Sequence, residues 1–197
     1  MKTEHLGDAF DHWKGSIIQR LESRNLLKDI AVIPMLTDSS WDNQKEKISA
    51  YSHLLNLKAN KVLQTRKFGG DKHDRERYFE DIGHAGDLFL DPDTGVSISS
   101  SSNNAEHITI SQIKKLLGHD RVILLYQHRG REKFLPQLER IVGEIRRQIE
   151  RLNAVTYDCG NVAMLFFSYD RDRIEKIKNY IKEDMLSGDH LTRVKML

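Results

Sequence analysis

The chain has 197 residues, enough for one well-buried domain and short for two, so a single domain spanning 1–197 is expected. Hydrophobic residues make up 39% and charged residues 30%, an ordinary globular balance that argues against disorder and against a membrane protein, the apolar runs being strand-sized where a spanning helix needs roughly 20 residues. A net charge of +2 excludes a general polycation, and the single cysteine, Cys159, excludes an intramolecular disulfide and multi-cysteine zinc patterns and points to the cytoplasm.

The N-terminal stretch has no apolar region of the kind a secretory signal carries. From Asp11 to Leu27, Trp13, Ile17, Ile18, Leu21 and Leu27 recur near helical spacing, behind acids that favour a helix N-terminus. Ile30 to Leu36 is a continuous apolar run and reads as a buried strand ending in the polar loop TDSSWDN. A second helix is expected from Asn43 to Leu57 through Ile48, Tyr51, Leu54 and Leu55, followed by a weaker strand in NKVLQT. DKHDRERYFEDIG reads as a short charged helix stopped by Gly83.

GDLFLD is a short apolar strand, after which the chain enters the serine-rich segment 97–104, expected as a flexible loop. TISQIKKLLG returns to helical spacing and stops at Gly118. RVILLYQH is the clearest buried strand, and Glu132 to Leu152 is a long amphipathic helix whose outer face carries Arg140, Arg146, Arg147 and Arg151. AVTYD and VAMLFFSYD read as strands joined by a tight CGN turn, and a last helix follows with Asp170 as its N-cap. Alternating strands and helices closed by a hairpin imply an α/β fold: a mostly parallel, Rossmann-like three-layer sandwich with an antiparallel hairpin at its C-terminal edge.

In such sheets ligands sit outside the carboxyl ends of the strands. DLFL delivers Asp91 and Asp93 to that edge, with Pro92 stiffening the turn between them, and VILLY delivers Gln127, His128 and Arg129. A carboxylate there can activate water, and an imidazole or guanidinium can stabilise a departing anion, so hydrolysis or group transfer on an anionic ligand is expected. The bland alternative is an Asx turn at the acids and a strand-end cap at His128. Gly7, Asp8, Asp11 and Lys14 form a second cluster, with Asp11 and Lys14 paired at i, i+3, and read equally well as a cap and a surface ion pair. Thr37, Asp38 and Trp41 form a third.

Neither GxGxxG nor GxxxxGK[ST] occurs, and the nine histidines lack metal-ligand spacing. Asp91 and Asp93 remain a candidate pair for Mg²⁺ where phosphate completes the shell. The expectation from the residues is therefore an enzyme without a cofactor, with Mg²⁺ as the alternative.

LGDAFDHWK, MLTD, LFLDPDTGV and ILLYQHRGR, in this order over about the first 130 residues, resemble a bacterial family of unassigned activity whose members carry a DPDNG-type motif and a later YQH motif. The same landmarks are more distantly similar to adenine amino-methyltransferases of ribosomal RNA. There a GNxxDxxK segment precedes the core and a DPPY motif ends the fourth strand. Gly7, Asp8, Asp11 and Lys14 match the first in part, and Asp91 and Pro92 match the start of the second. MLTDSSWD lacks the glycine-rich cofactor loop of that family, and DPDT lacks the second proline and the aromatic.

Uracil-DNA glycosylases offer a further resemblance, placing a DP-containing motif after one strand and a histidine motif after a later one. Asp91, Pro92 and His128 match this arrangement. The resemblance implies a nucleic-acid hydrolase, a base-excising N-glycosylase acting on DNA, in which Asp91 or Asp93 handles water, His128 stabilises the leaving base, and Arg129 and Arg131 meet phosphate. Gln127, Asp8, Asp11, Lys14 and Asp38 complete the expected binding residues. The alternatives are an S-adenosylmethionine-dependent methyltransferase with a divergent cofactor site and a Mg²⁺-dependent nuclease. The target base and the choice between DNA and RNA stay open at this level.

Overall fold

The computed structural model describes residues 6–37, 44–68, 72–80, 82–98, 106–186 and 193–196. In chain order the elements are α1 (Ala9–Ser23), β1 (Ala31–Ile33), α2 (Lys45–Leu54), α3 (Lys72–Glu80), β2 (Leu88–Leu90), β3 (Gly95–Ser97) and β4 (His107–Thr109). They continue with α4 (Ile110–Leu116), β5 (Ile123–His128), α5 (Phe134–Gln148), β6 (Asn153–Asp158), β7 (Val162–Ser168), α6 (Arg171–Tyr180) and β8 (Val194–Met196).

The result is a mixed α/β fold built on a six-stranded sheet in the order β1-β2-β5-β7-β6-β8. β1 pairs parallel with β2 and β2 with β5, whereas β7 runs antiparallel to both of its neighbours and β8 runs antiparallel to β6. Thus β1, β2, β5 and β6 point one way, and β7 and β8 the other. β7 lies inside the sheet, not at an edge, and the edge on that side is β8, a short strand that carries no recognisable apolar run.

Successive strand residues point to opposite faces and divide the core in two. Val32, Phe89, Leu124 and Phe166 pack against α1, α2 and α6, whereas Ile33, Leu90, Leu125 and Phe167 pack against α3, α4 and α5. Strands with both faces covered read as continuous apolar runs, which is why VILLY and VAMLFF stand out in the sequence. Each fully buried side chain of this kind contributes about 1.5–3 kcal/mol.

Caps fix the ends of the helices that matter for the site. Asp8 accepts from the backbone N–H groups of Phe10 and Asp11 and starts α1, and Asp170 accepts from Arg173 N to start α6. Thr109 and Gln112 form a capping box on α4. Gly15 brings α1 against α2, because a Cβ there would collide with the Leu54 carbonyl.

Three local expectations change. NKVLQT forms a 3-10 turn at Ala59–Lys61 and only a single parallel bridge from Val62 to Val32 in place of a strand. Ser97 belongs to β3, so the serine-rich stretch begins one strand residue later than its composition implies, and residues 99–104 lie outside the described residues. β3 and β4 pair parallel as a separate two-stranded sheet, a connection the polar composition around them conceals.

At the amino ends of the parallel strands, Asp87 ties the frame together. Its carboxylate accepts from Lys28 N at 2.6 Å, Val122 N at 2.7 Å and the Arg173 guanidinium at 2.6 and 3.1 Å. This buried pair sets the register of β1, β2 and β5 from below and leaves their carboxyl ends to build the site above.

Candidate active site

The carboxyl ends of β2 and β5 open into a cavity of about 270 Å³, lined by Asp8, Phe10, Asp11, Lys14, Asp91, Pro92, Asp93, Thr94, Glu106, Tyr126 and His128. Three parts of the chain supply it: the first turns of α1, the Asp91–Thr94 segment after β2, and the end of β5. Glu106, just before β4, closes one side.

Lys14 is the electrostatic centre of the floor. Its side chain projects from α1 and is 5% exposed, with Nζ 3.1 Å from Asp11 Oδ1, 2.9 Å from Asp91 Oδ1 and 3.0 Å from Asp91 Oδ2. The ammonium also lies 4.1 Å from the centroid of the Tyr126 ring. Burial works against the charge of Lys14, but Asp91 and Asp11 outweigh it and hold its pKa above the ordinary lysine value. Asp11 shows the opposite balance: burial pushes its carboxyl up more than Lys14 pulls it down. Asp11 Oδ2 also accepts from Gly7 N at 2.9 Å, fixing the entry to α1.

Asp91 is 2% exposed and held from a second helix, since Tyr51 Oη on α2 donates to Asp91 Oδ2 at 2.6 Å. Burial and the Asp91 charge together push the Tyr51 phenol far up, so it stays a neutral donor. With a lysine on both oxygens and a tyrosine on one, Asp91 organises the floor and has little capacity left to activate water. The same saturation leaves Asp93 as the accessible member of the pair expected to hold Mg²⁺. Among the described residues no group of three or more histidine, cysteine or acidic side chains is arranged to hold a metal.

Asp93 sits higher, half-buried, and its Oδ2 accepts from Thr37 Oγ1 at 2.5 Å. His128 also lines the cavity, 4.8 Å centroid to centroid from Tyr126 and 6.0 Å from Phe10, both edge-on. Phe10, Tyr126 and His128 therefore form an aromatic cluster within the lining.

Asp8, Asp11, Lys14, Asp91, Asp93 and His128 thus line one cavity, which joins two clusters that the sequence presents separately. Three other expected binding residues are placed elsewhere. Gln127 alternates to the buried side of β5, where its amide oxygen accepts from Val96 N at 2.9 Å and its nitrogen donates to the carbonyls of Thr94 and His128. It forms a strut between β5 and β3, outside the cavity lining. Arg129 and Arg131 are exposed beyond the end of β5, outside the cavity lining. Asp38 and Trp41 lie outside the described residues.

The basic face of α5 is also less basic than its arginines imply. Arg140 pairs with Glu132, Arg147 with Glu144 at 2.6 Å, and Arg146 Nε donates to the Leu152 carbonyl. Residues that composition alone did not single out include Tyr51, hidden in the apolar stripe of α2, and Glu106 and Thr94, which meet through β3 and β4. Thr94 Oγ1 contacts His107 Nδ1 at 2.6 Å, and burial lowers the His107 pKa against the opposing pull of Glu106.

Fold and cavity together define a mixed α/β protein with a polar pocket at the carboxyl edge of its parallel strands. No family model matches the chain, and no curated protein and no solved structure is significantly similar to it. No described helix is long and apolar enough to cross a membrane.

Proposed function

We propose that this chain is a cytoplasmic nucleic-acid hydrolase of the base-excising N-glycosylase type, acting on DNA from a Rossmann-like α/β frame. One observation carries the reading: Asp93 and His128, delivered by neighbouring parallel strands, line the same single-ring-sized cavity. The roles differ from those expected of the strand-end acids as a pair. Asp91 is committed to Lys14 and Tyr51, so Asp93 takes the water.

On this reading a base swung out of the stack enters the cavity against Phe10, Tyr126 and His128. The C1′–N bond breaks with its electron pair leaving on the base nitrogen, which takes a proton from His128. Water adds to C1′ and passes a proton to Asp93. The sugar becomes cationic as the bond stretches, and carboxylates preorganised around the cavity stabilise that charge with no reorganisation. The exposed Arg129 and Arg131 meet phosphate outside the cavity. Incubating the protein with DNA carrying natural and modified bases, then cleaving abasic sites with alkali, tests this; strands left intact from every substrate would refute it.

A second reading is supported by the 2.9 Å contact between Lys14 and Asp91, which joins the two segments that resemble the amino-methyltransferases. It makes the cavity an acceptor site for a target amine, with S-adenosylmethionine bound near the end of β1. Calorimetric titration with S-adenosylmethionine separates the readings, since saturable binding belongs to the second alone.

A further inference from the structure

Tyr126 stands two residues before His128 on β5, so both project to the same face of the strand and both line the cavity. The residue is 2% exposed, and its ring is held by four contacts that do not use the hydroxyl. Lys14 Nζ sits 4.1 Å from the ring centroid, His128 lies edge-on at 4.8 Å, and Phe10 and Trp13 each lie at 6.4 Å. A buried phenol ordinarily finds a hydrogen-bond partner. Tyr51 does so by donating to Asp91. The Tyr126 hydroxyl has no hydrogen-bond partner among the described residues, and its oxygen opens on the cavity.

Burial, and after it the charges of Asp91, Asp8 and Asp11, push the Tyr126 pKa well above its ordinary value. The phenol therefore stays protonated and is a donor, not a base. A donor fixed in place before reaction interacts most strongly with the atom that gains negative charge as the reaction proceeds. In base excision opposite charges develop on two fragments. The sugar becomes cationic and faces carboxylates, whereas the electron pair of the C1′–N bond spreads through the departing base onto its oxygen or nitrogen atoms.

We infer that Tyr126 is a further catalytic residue, its hydroxyl donating a hydrogen bond to the departing base and holding the negative charge that collects there. The role rests on the base-excision reading. Tyr126 forms no covalent bond and keeps its own proton; the electron pair leaves on the base, and the proton that neutralises the base nitrogen still comes from His128.

The test compares the full wild-type chain with Tyr126→Phe in single-turnover excision, fluorescence anisotropy on the same DNA panel, and thermal melts. Phenylalanine keeps the ring and its four contacts, so melting and strand affinity are expected to match wild type. The excision rate is expected to fall about 10²–10³-fold, the usual cost of removing one charge-stabilising donor. That defect should shrink when halogen substitution makes the excised base more acidic, because such a base carries its charge with less help. Wild-type excision by Tyr126→Phe would overturn the role and leave base excision standing. A defect that is the same at every base acidity would overturn it as well, as would a lower melting point with weakened strand binding, which makes the hydroxyl structural. No excision by the wild-type chain would overturn the base-excision reading, and the role of Tyr126 with it.

Discussion

Lys14 Nζ bridges both oxygens of Asp91, at 2.9 and 3.0 Å, across 77 residues of sequence. This buried contact locks the first turns of α1 onto the end of β2, so the helix that carries Asp8 and Phe10 cannot drift from the strand that delivers Asp93. Taking one member away leaves an unpaired buried charge, which costs about 3–5 kcal/mol. Lys14→Met is expected to lose about that much in denaturant unfolding, and Asp91→Asn less, because Asp11 still pairs with Lys14. The double variant should recover part of the loss, because of the three charges joined at Lys14 it leaves only that of Asp11.

The pair also sets an alkaline limit. The folded pKa of Lys14 lies above 10.5, so its contribution is fully present below that pH and is lost as pH rises through the raised value. Wild type and Lys14→Met should therefore converge in stability under strongly alkaline conditions. Parallel curves across that range would show that the charge on Lys14 is not what holds α1 down.

His107 works at the other end of the scale. Its folded pKa is lowered, chiefly by burial, so the unfolded chain takes up a proton more readily below pH 6.5 and stability falls as pH drops through that region. His107→Gln should flatten the acid slope in thermal melts between pH 7 and 5.

Gly95 and Gln127 form a steric and hydrogen-bonded lock between β3 and β5. Gly95 has φ of 115°, and a Cβ there would strike the Gln127 side-chain amide. Gly95→Ala is expected to destabilise by roughly 1–3 kcal/mol through the left-handed backbone and the collision. Gln127→Leu should do so through lost hydrogen bonds to Val96, Thr94 and His128. Both should displace Thr94 and Glu106 from the cavity, read as a rise in KM larger than the fall in kcat.

How much of this was legible beforehand depends on where each signal lives. Asp91, Asp93 and His128 are marked by position alone, at the ends of apolar runs long enough to be strands. Lys14 and Asp11 were visible as a local pair, but their burial under Asp91 is a long-range fact that spacing cannot carry. Tyr51 was concealed because its ring belongs to the apolar stripe of α2 and only its hydroxyl belongs to the site. Gln127 misled for the reverse reason: next to His128 in sequence, it alternates to the other face of β5. The α5 arginines mark a basic outer face in the sequence, but the pairing of Arg140 with Glu132 and of Arg147 with Glu144 is a matter of side-chain geometry that composition does not carry. β3, β4 and β8 have three residues each, too short for any periodicity to register.

The division of labour between the two acids bears on catalysis. Asp93→Asn keeps an acceptor for Thr37 and should melt within about 0.5 kcal/mol of wild type. Its activity is expected to fall about 10²–10⁴-fold, the usual contribution of a positioned general base. An unstable Asp93→Asn, or an active one, would return the water to Asp91.

The central claim is that this pocket removes a base. Intact-mass spectrometry of a DNA panel incubated with the protein and S-adenosylmethionine reads every alternative at once. The expected product is a strand lighter by one base and carrying the elements of water at the abasic sugar. A strand heavier by a methyl group, or a panel of unchanged masses, would contradict it.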